Sequence, residues 1–546
     1  MDQKHGSHCQ LPNVQKFPIS IDYKKATIEM RCSTQGTRQN KYLILLRSNK
    51  KSLDISAISV YKIEVTSNHR KHQNHLLETH NNTSLRNHDK TPRSRHTLSC
   101  TRPCHPDYGA FSTISQARCQ DVTHKQVTSN ALKKDGFADL IQLASIPDGL
   151  EPWEDRNDLC KLTKSILKTM PEKLEVLIET INKEDINKVT CIVADGCMGW
   201  AIRVAKRMGI SRAIFWPASV CTLASVLSYQ QLIDYGIINN KGMPLNHKMI
   251  RLSETTPPIK PTDLSWACFD DVGTIEAVFE LVKEVVEASK LTEWFICNST
   301  IELEFAAFSL YPQLLPIGPL LASNRLAYQS GHFWQEDSTC LAWLDEQPSC
   351  SVIYIAFGSF TIFNQTQFQE LAIGLELSNR PFLWVVRPGM TKETTAAYPD
   401  GYLERVGSRG RIVSWAPQQK VLAHPSVACF VSHCGWNSTL EGVTNGLPFL
   451  CWPYFADQLH NETYIRDIWK TGLGFDKDEA GIITRGEIKS KVEQLLGENT
   501  FRAKALDIKE NVTSSIREGG CSHKNLSNFI EWIQDRNANT LELASD

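Results

Sequence analysis

The distribution of apolar positions divides the chain near residue 120. Beyond it, short continuous apolar runs alternate with longer stretches of helical spacing, the pattern of βαβ units and parallel sheets. Thr190–Ala194 (TCIVA) reads as a buried strand ending at Asp195, Gly199–Met208 has helical spacing, and Arg212–Trp216 (RAIFW) is the next strand. A second set begins near Ser351, with strands at SVIYIAF, 381–386 (PFLWVV), 411–415 (RIVSW), 428–433 (ACFVSH) and 448–452 (PFLCW), and a helix over Gln365–Leu377. The stretch at about 320–340 has little periodicity and reads as a linker between two α/β domains; Lys524–Gln534 reads as a final amphipathic helix. Asp195 falls at the carboxyl end of a strand, where open α/β sheets take their ligands.

The 546 residues suit two large domains. The net charge of −1 conceals an asymmetry: residues 1–120 hold 19 Lys/Arg against 8 Asp/Glu, the remainder 40 against 52. Nine of the 16 histidines also lie in that first segment, among Asn, Ser, Thr and Arg, a composition that buries little and predicts poor order. It carries few aromatics and no recognisable nucleic-acid module, so the reading is no nucleic-acid partner. The longest apolar run there, Tyr42–Leu46, is flanked by Lys41 and Arg47, and no run approaches the roughly 18 residues of a membrane span. Seventeen cysteines, mostly spaced singly, read as reduced thiols of a cytoplasmic protein. Cys100, Cys104 and His105 lack a fourth zinc ligand at a recognisable spacing, so no metal is expected.

The most informative stretch is Trp415–Gln458, WAPQQKVLAHPSVACFVSHCGWNSTLEGVTNGLPFLCWPYFADQ. At its centre a strand ends at His433, Cys434–Gly435 turns, and Asn437–Ser438 opens a helix through Thr444. Such a helix start offers backbone N–H groups and the positive end of the helix dipole, so with a histidine donor beside it a phosphate is the natural ligand. Ser438 and Glu441 also fit a plain capping box, S-x-x-E. Asp457–Gln458 fits a polar turn, and His424 reads as a surface or loop histidine.

The whole string resembles the signature box of plant UDP-dependent glycosyltransferases, which glycosylate small metabolites and hormones. The resemblance runs from about His124 through IPDGLEPWEDRNDL (146–159), VADGCMGWA (193–201), FGSF (357–360) and NETYIRDIWKTGLG (461–474) to the end. It implies a GT-B fold: two Rossmann-like domains facing across a cleft, the acceptor domain at 121–325, a linker at 326–340, the UDP-sugar domain at 341–522 and a C-terminal helix and tail at 523–546. The atypical basic segment 1–120 stands in place of the first βα unit. Carried onto this sequence, Trp415 stacks on the uracil, with the Ala416 backbone and Gln418 at the base edge. Glu441, at the first turn of its helix, takes the ribose hydroxyls. His433, Asn437, Ser438 and Ser359 hold the diphosphate, and Trp436, Asp457 and Gln458 contact the sugar, glutamine at the last place being associated with glucose.

The reaction implied is an inverting, metal-independent displacement on UDP-glucose, a co-substrate, by a hydroxyl or carboxyl of a small lipophilic acceptor, in a monomeric protein. In the family the base is a histidine in a GHxxP-like turn after the first strand, oriented by an aspartate that Asp195 matches. Residues 1–120 contain no GHxxP; His96 and His105 are the nearest candidates. The missing base leaves a second reading, a UDP-sugar-binding protein impaired in turnover. A dehydrogenase lacks its G-x-G-x-x-G, and Trp216, Trp266 and Phe269 read equally as core or acceptor pocket.

Overall fold

The computed structural model describes residues 43–47, 60–65 and 141–542, except 152, 157, 185–187, 321–335, 359–360 and 392–397. Ser359, His96, His105 and the Cys100/Cys104 pair therefore lie outside the described residues.

Two sheets are present. The first combines β1 (Leu43–Arg47), β2 (Val60–Val65), β3 (Ile141–Ile146), β4 (Val189–Asp195), β5 (Ser211–Trp216), β6 (Trp294–Cys297) and β7 (Leu314–Pro316) in the order β3-β2-β1-β4-β5-β6-β7. The second is wholly parallel, β10-β9-β8-β11-β12-β13, built from β8 (Val352–Ala356), β9 (Phe382–Val385), β10 (Gly410–Val413), β11 (Val427–Ser432), β12 (Phe449–Cys451) and β13 (Gly472–Gly474). Helices cover both faces, so central strands such as β8 and β11 are buried along their whole length and are apolar without alternation.

The basic segment contributes more than its composition suggests. Leu43–Arg47 pairs along the edge of β4 where the first strand would lie, and Val60–Val65 pairs beyond it. The direction is reversed: β1 runs antiparallel to β4, with Leu43 opposite Ala194 and Arg47 opposite Val189. The apolar core of Tyr42–Leu46 is enough to satisfy backbone pairing in either sense.

The alternation of side chains across the first sheet decides what packs on each face. Ile192, Ala194, Ile214 and Trp216 face the large core that also takes in the second domain, whereas Cys191, Val193, Ala213, Phe215 and Ile296 face the other way. That second face is covered by the chain's last helix, Cys521–Glu542, through Phe529 and Ile533. The Trp294 ring lies 5.4 Å from that of Phe529, and Asn525 donates to the Pro316 carbonyl at 2.9 Å. The C-terminal helix thus returns to the N-terminal sheet. Trp216 and Trp266 are core: their indole N–H groups donate to the Ser219 and Gly242 carbonyls.

One buried charge organises the contact edge of the first sheet. Glu304, wholly inaccessible, accepts from the backbone N–H groups of Val220 (2.9 Å) and Cys221 (2.8 Å) and from the Ser299 hydroxyl (2.6 Å). It thereby caps the helix Val220–Leu227 from a distance in sequence. Burial pushes its carboxyl up to about 7. Glu304→Ala should lower stability by about 2–4 kcal/mol, because two buried N–H groups lose their acceptor. Glu304→Gln, which keeps an oxygen there, should lose less; urea unfolding midpoints of the two variants check this.

Candidate active site

The chemistry gathers at the carboxyl ends of the strands. β11 ends at Ser432, His433 follows, and Cys434 turns the chain in the left-handed region at φ 62, unusual for a residue with a Cβ. The turn is braced at both ends, by Cys434 N–H donating to Ser432 Oγ (3.1 Å) and Asn461 Nδ2 donating to the Cys434 carbonyl (2.8 Å). Gly435 is the N-cap and the helix runs Trp436–Asn445, closed by Gly446 at φ 69. This geometry excludes the capping-box alternative. Ser438 is the third residue of the helix rather than its cap, and its hydroxyl accepts from Gln418 Nε2 at 3.0 Å.

Glu441 sits in the second turn, not the first as expected. Its two oxygens accept from Gln418 Nε2 (2.7 Å) and Gln419 Nε2 (3.0 Å). Tyr354 on β8 donates to Gln418 Oε1 at 3.1 Å, which fixes the amide the other way round. Gln418, expected at a base edge, holds the Glu441 carboxylate in this structure. Trp415 lies half-buried just beyond β10, and the buried Ala416 follows it. Trp415 and Ala416 thus lead along the chain into Gln418, one of the two amides that hold the Glu441 carboxylate.

His433 is almost fully buried, and burial lowers its pKa to about 4. It is a neutral imidazole at pH 7, with one N–H to give, and the Ala356 backbone carbonyl is the acceptor beside it. Trp436 serves twice. Its backbone N–H helps hold down the pKa of the buried Asp457 carboxylate, and its indole N–H donates to the Asn298 carbonyl in the other half of the protein, at 2.7 Å. Asp457 also accepts from Asn461 Nδ2 at 3.0 Å; burial raises its pKa to about 6. Two groups expected to meet a sugar through their side chains thus carry structural bonds as well. Gln458 Oε1 accepts from the N–H groups of Tyr454 (2.8 Å) and Phe455 (3.1 Å), which orients its Nε2 as the donor end.

Asp195 closes β4, and its Oδ1 accepts from Cys197 N–H at 2.9 Å. Gly196 lies against the Trp216 ring, where a Cβ would come within 2.4 Å. Asp195 thus occupies the edge that faces the second domain: the helix following β5 reaches across through Thr222, whose hydroxyl is 3.0 Å from His460 Nδ1. Trp469 Nε1 donating to the Leu303 carbonyl (3.0 Å) extends the same seam. His424 is a loop residue, bonded to Ser426 and Asp345. Among the described residues, no group of three or more His, Cys, Asp or Glu is placed to hold a metal ion.

The family model for UDP-glucoronosyl and UDP-glucosyl transferase matches residues 328–510. UDP-glycosyltransferase 83A1 of Arabidopsis thaliana is 42% identical over 427 residues, covering 76% of this chain and 89% of that protein. The chain belongs to the plant UDP-glycosyltransferases. Linamarin synthase 1 of Manihot esculenta is 32% identical, covering 73% of this chain and 86% of the relative. Among solved structures, a Polygonum tinctorium UDP-glucosyltransferase capable of glucosylating indoxyl, in complex with 3,4-dichloroaniline, superposes with a TM-score of 0.62 at 27% identity, covering 74% of this chain and 88% of that one. Phytolacca americana UGT2, complexed with UDP-2-fluoro-glucose and pterostilbene, gives 0.60 at 26% identity, covering 72% and 86%. The fold of this glycosyltransferase is accordingly GT-B.

Sequence reading missed His460, Thr222, Asn298, Glu304 and Asn461. Only Asn461 had a local signal, its spacing of four from Asp457 on one helix; the others meet partners more than 80 positions away.

His460 gives a pH test. Burial lowers its pKa from 6.5 to about 4, so below pH 6.5 the unfolded chain takes a proton that the folded one refuses, and stability falls with pH through that window. Glu304 and Asp457, both raised, act in the opposite sense. His460→Gln keeps a polar partner for Thr222 but cannot titrate. It should lose about 2 kcal/mol less than the parent between pH 7 and pH 5, read from urea midpoints.

Proposed function

We propose that the chain transfers glucose from UDP-glucose to a hydroxyl or carboxyl of a small lipophilic acceptor, inverting the anomeric carbon. The observation that carries this reading is the placing of Trp415, Ala416 and Gln418 on one segment, whose Gln418 amide holds Glu441 on the Trp436–Asn445 helix. Uracil stacks on the Trp415 indole, and the ribose diol meets Glu441 in place of its glutamine partners. The diphosphate lies at the helix start beside His433, with Asn437 and Ser438 as donors, joined by Ser359. As the bond to the anomeric carbon breaks, charge grows on that diphosphate, and donors already aimed there stabilise it without reorganisation. Trp436, Asp457 and Gln458 receive the sugar, with the Gln458 donor end favouring glucose.

Asp195 orients the general base that deprotonates the acceptor. The orientation of β1 bears on where that base lies. Arg47, where β1 ends, is opposite Val189 at the end of β4 remote from Asp195, so the chain leaves β1 away from the chemistry. β2 runs the other way, and its last residues reach the Asp195 end of the sheet. The acceptor class rests on the small aromatic molecules named with the solved relatives, such as pterostilbene and 3,4-dichloroaniline. A cytoplasmic enzyme fits twelve described cysteines that form no disulfide.

The test is titration with UDP together with a transfer assay using UDP-glucose and a panel of phenols and carboxylic acids. Glu441→Ala should weaken UDP about tenfold, roughly the value of hydrogen bonds to a charged group. Asp195→Ala should lower transfer by roughly 10²-fold or more and leave the Kd for UDP unchanged. UDP binding without transfer in the unaltered chain would favour the reading as a turnover-impaired binder.

A further inference from the structure

The loop that brings Asp457 and Gln458 to the cleft is short and strained. It leaves β12 at Cys451 and passes through Ala456 at φ 58, a left-handed backbone that disfavours any residue with a Cβ. A conformation of this kind persists only where neighbouring bonds hold it. Two of its N–H groups, those of Tyr454 and Phe455, are tied internally to Gln458 Oε1. The third, on Ala456 itself, crosses the cleft and donates to Cys268 Sγ at 3.2 Å.

Cys268 belongs to the acceptor half, in the segment between the fully buried Trp266 and the helix Val272–Ser289. The thiol is placed from both sides, since its own hydrogen points at the Ser265 carbonyl, 3.6 Å away. Burial raises its pKa, so at neutral pH it remains a thiol with lone pairs to offer. The next residue, Phe269, packs its ring 6.5 Å from that of Phe455, so the two segments touch through an apolar contact and a polar one.

We propose that Cys268 is a positioning residue for the donor sugar: its sulfur, accepting the Ala456 N–H from across the cleft, holds the Tyr454–Gln458 loop in the shape that presents Asp457 and Gln458. This rests on the reading of the site as one for UDP-glucose. It adds that the sugar end of the donor site is completed by the acceptor domain, whereas the uridine end is built within the second domain. The acceptor segment 265–269 and the sugar loop then move as one unit.

The uridine end gives an internal control. Calorimetric titration of the full chain with UDP and with UDP-glucose isolates the contribution of the sugar as a ratio of dissociation constants and needs no turnover. Cys268→Ala should weaken UDP-glucose about five- to tenfold, the worth of one hydrogen bond, while UDP changes by less than about twofold. Cys268→Ser, which restores an acceptor, should bring UDP-glucose back to within about twofold of the parent. The proposal is overturned if Cys268→Ala leaves the ratio unchanged, weakens both ligands in parallel as a purely structural lesion would, or is matched by Cys268→Ser. Failure of the parent chain to bind UDP at all would strike the donor reading itself, and is distinguishable because it precedes any variant.

Discussion

The candidate site hangs on the first residue of one helix. Trp436 directs its indole N–H to the Asn298 carbonyl of the opposite domain, so a single residue links the helix start to the facing half of the protein. Asn298 is itself fixed, its Oδ1 accepting from Leu320 N–H at 2.8 Å where the chain leaves the first domain. The indole is fully buried, so a lost partner would leave a buried donor unsatisfied, which is costlier than the bond itself is stabilising. Domain placement and helix placement are therefore one constraint. The direction in which N–H groups point at a helix start follows from its placement, so the same constraint sets where the N-terminus of this helix is aimed.

Around this point the protein gathers titratable groups that burial drives toward neutrality. His433 and His460 are pulled down to about 4, while Asp457 and Glu304 are pushed up to about 6 and about 7. Desolvation is the leading cause in each case, which is the signature of a seam closed to water.

Local pattern made the strands of both domains legible, because parallel strands buried on both faces are continuous apolar runs whatever surrounds them. Strands β4, β5 and β8 to β12 lie within about two residues of their expected bounds. The strand–turn–helix around His433 was legible for the same reason, although Trp436, not Asn437–Ser438, begins the helix. What escaped was whatever depends on contact between distant pieces. Sequence gives the neighbours of Gln418 along the chain but not its bonds to Tyr354 and Glu441, 64 positions before it and 23 after it. The destination of the last helix escaped likewise: Phe529 and Ile533 announce an apolar face, but nothing local says that the covered surface is the N-terminal sheet.

The basic N-terminal segment separates two requirements that usually coincide. Hydrogen bonding along the edge of β4 is satisfied by a neighbour running in either direction, and Leu43–Arg47 supplies it antiparallel. Chemistry at a strand end is not indifferent to direction, because the residue delivered to the cleft is the one after the strand when it runs parallel and the one before it when it runs antiparallel. The same five residues can therefore complete a sheet and still exchange which side of their sequence meets Asp195. At the edge of this cleft the fold is maintained by pairing, whereas the reaction depends on polarity, and an apolar run in the sequence reports the first without reporting the second.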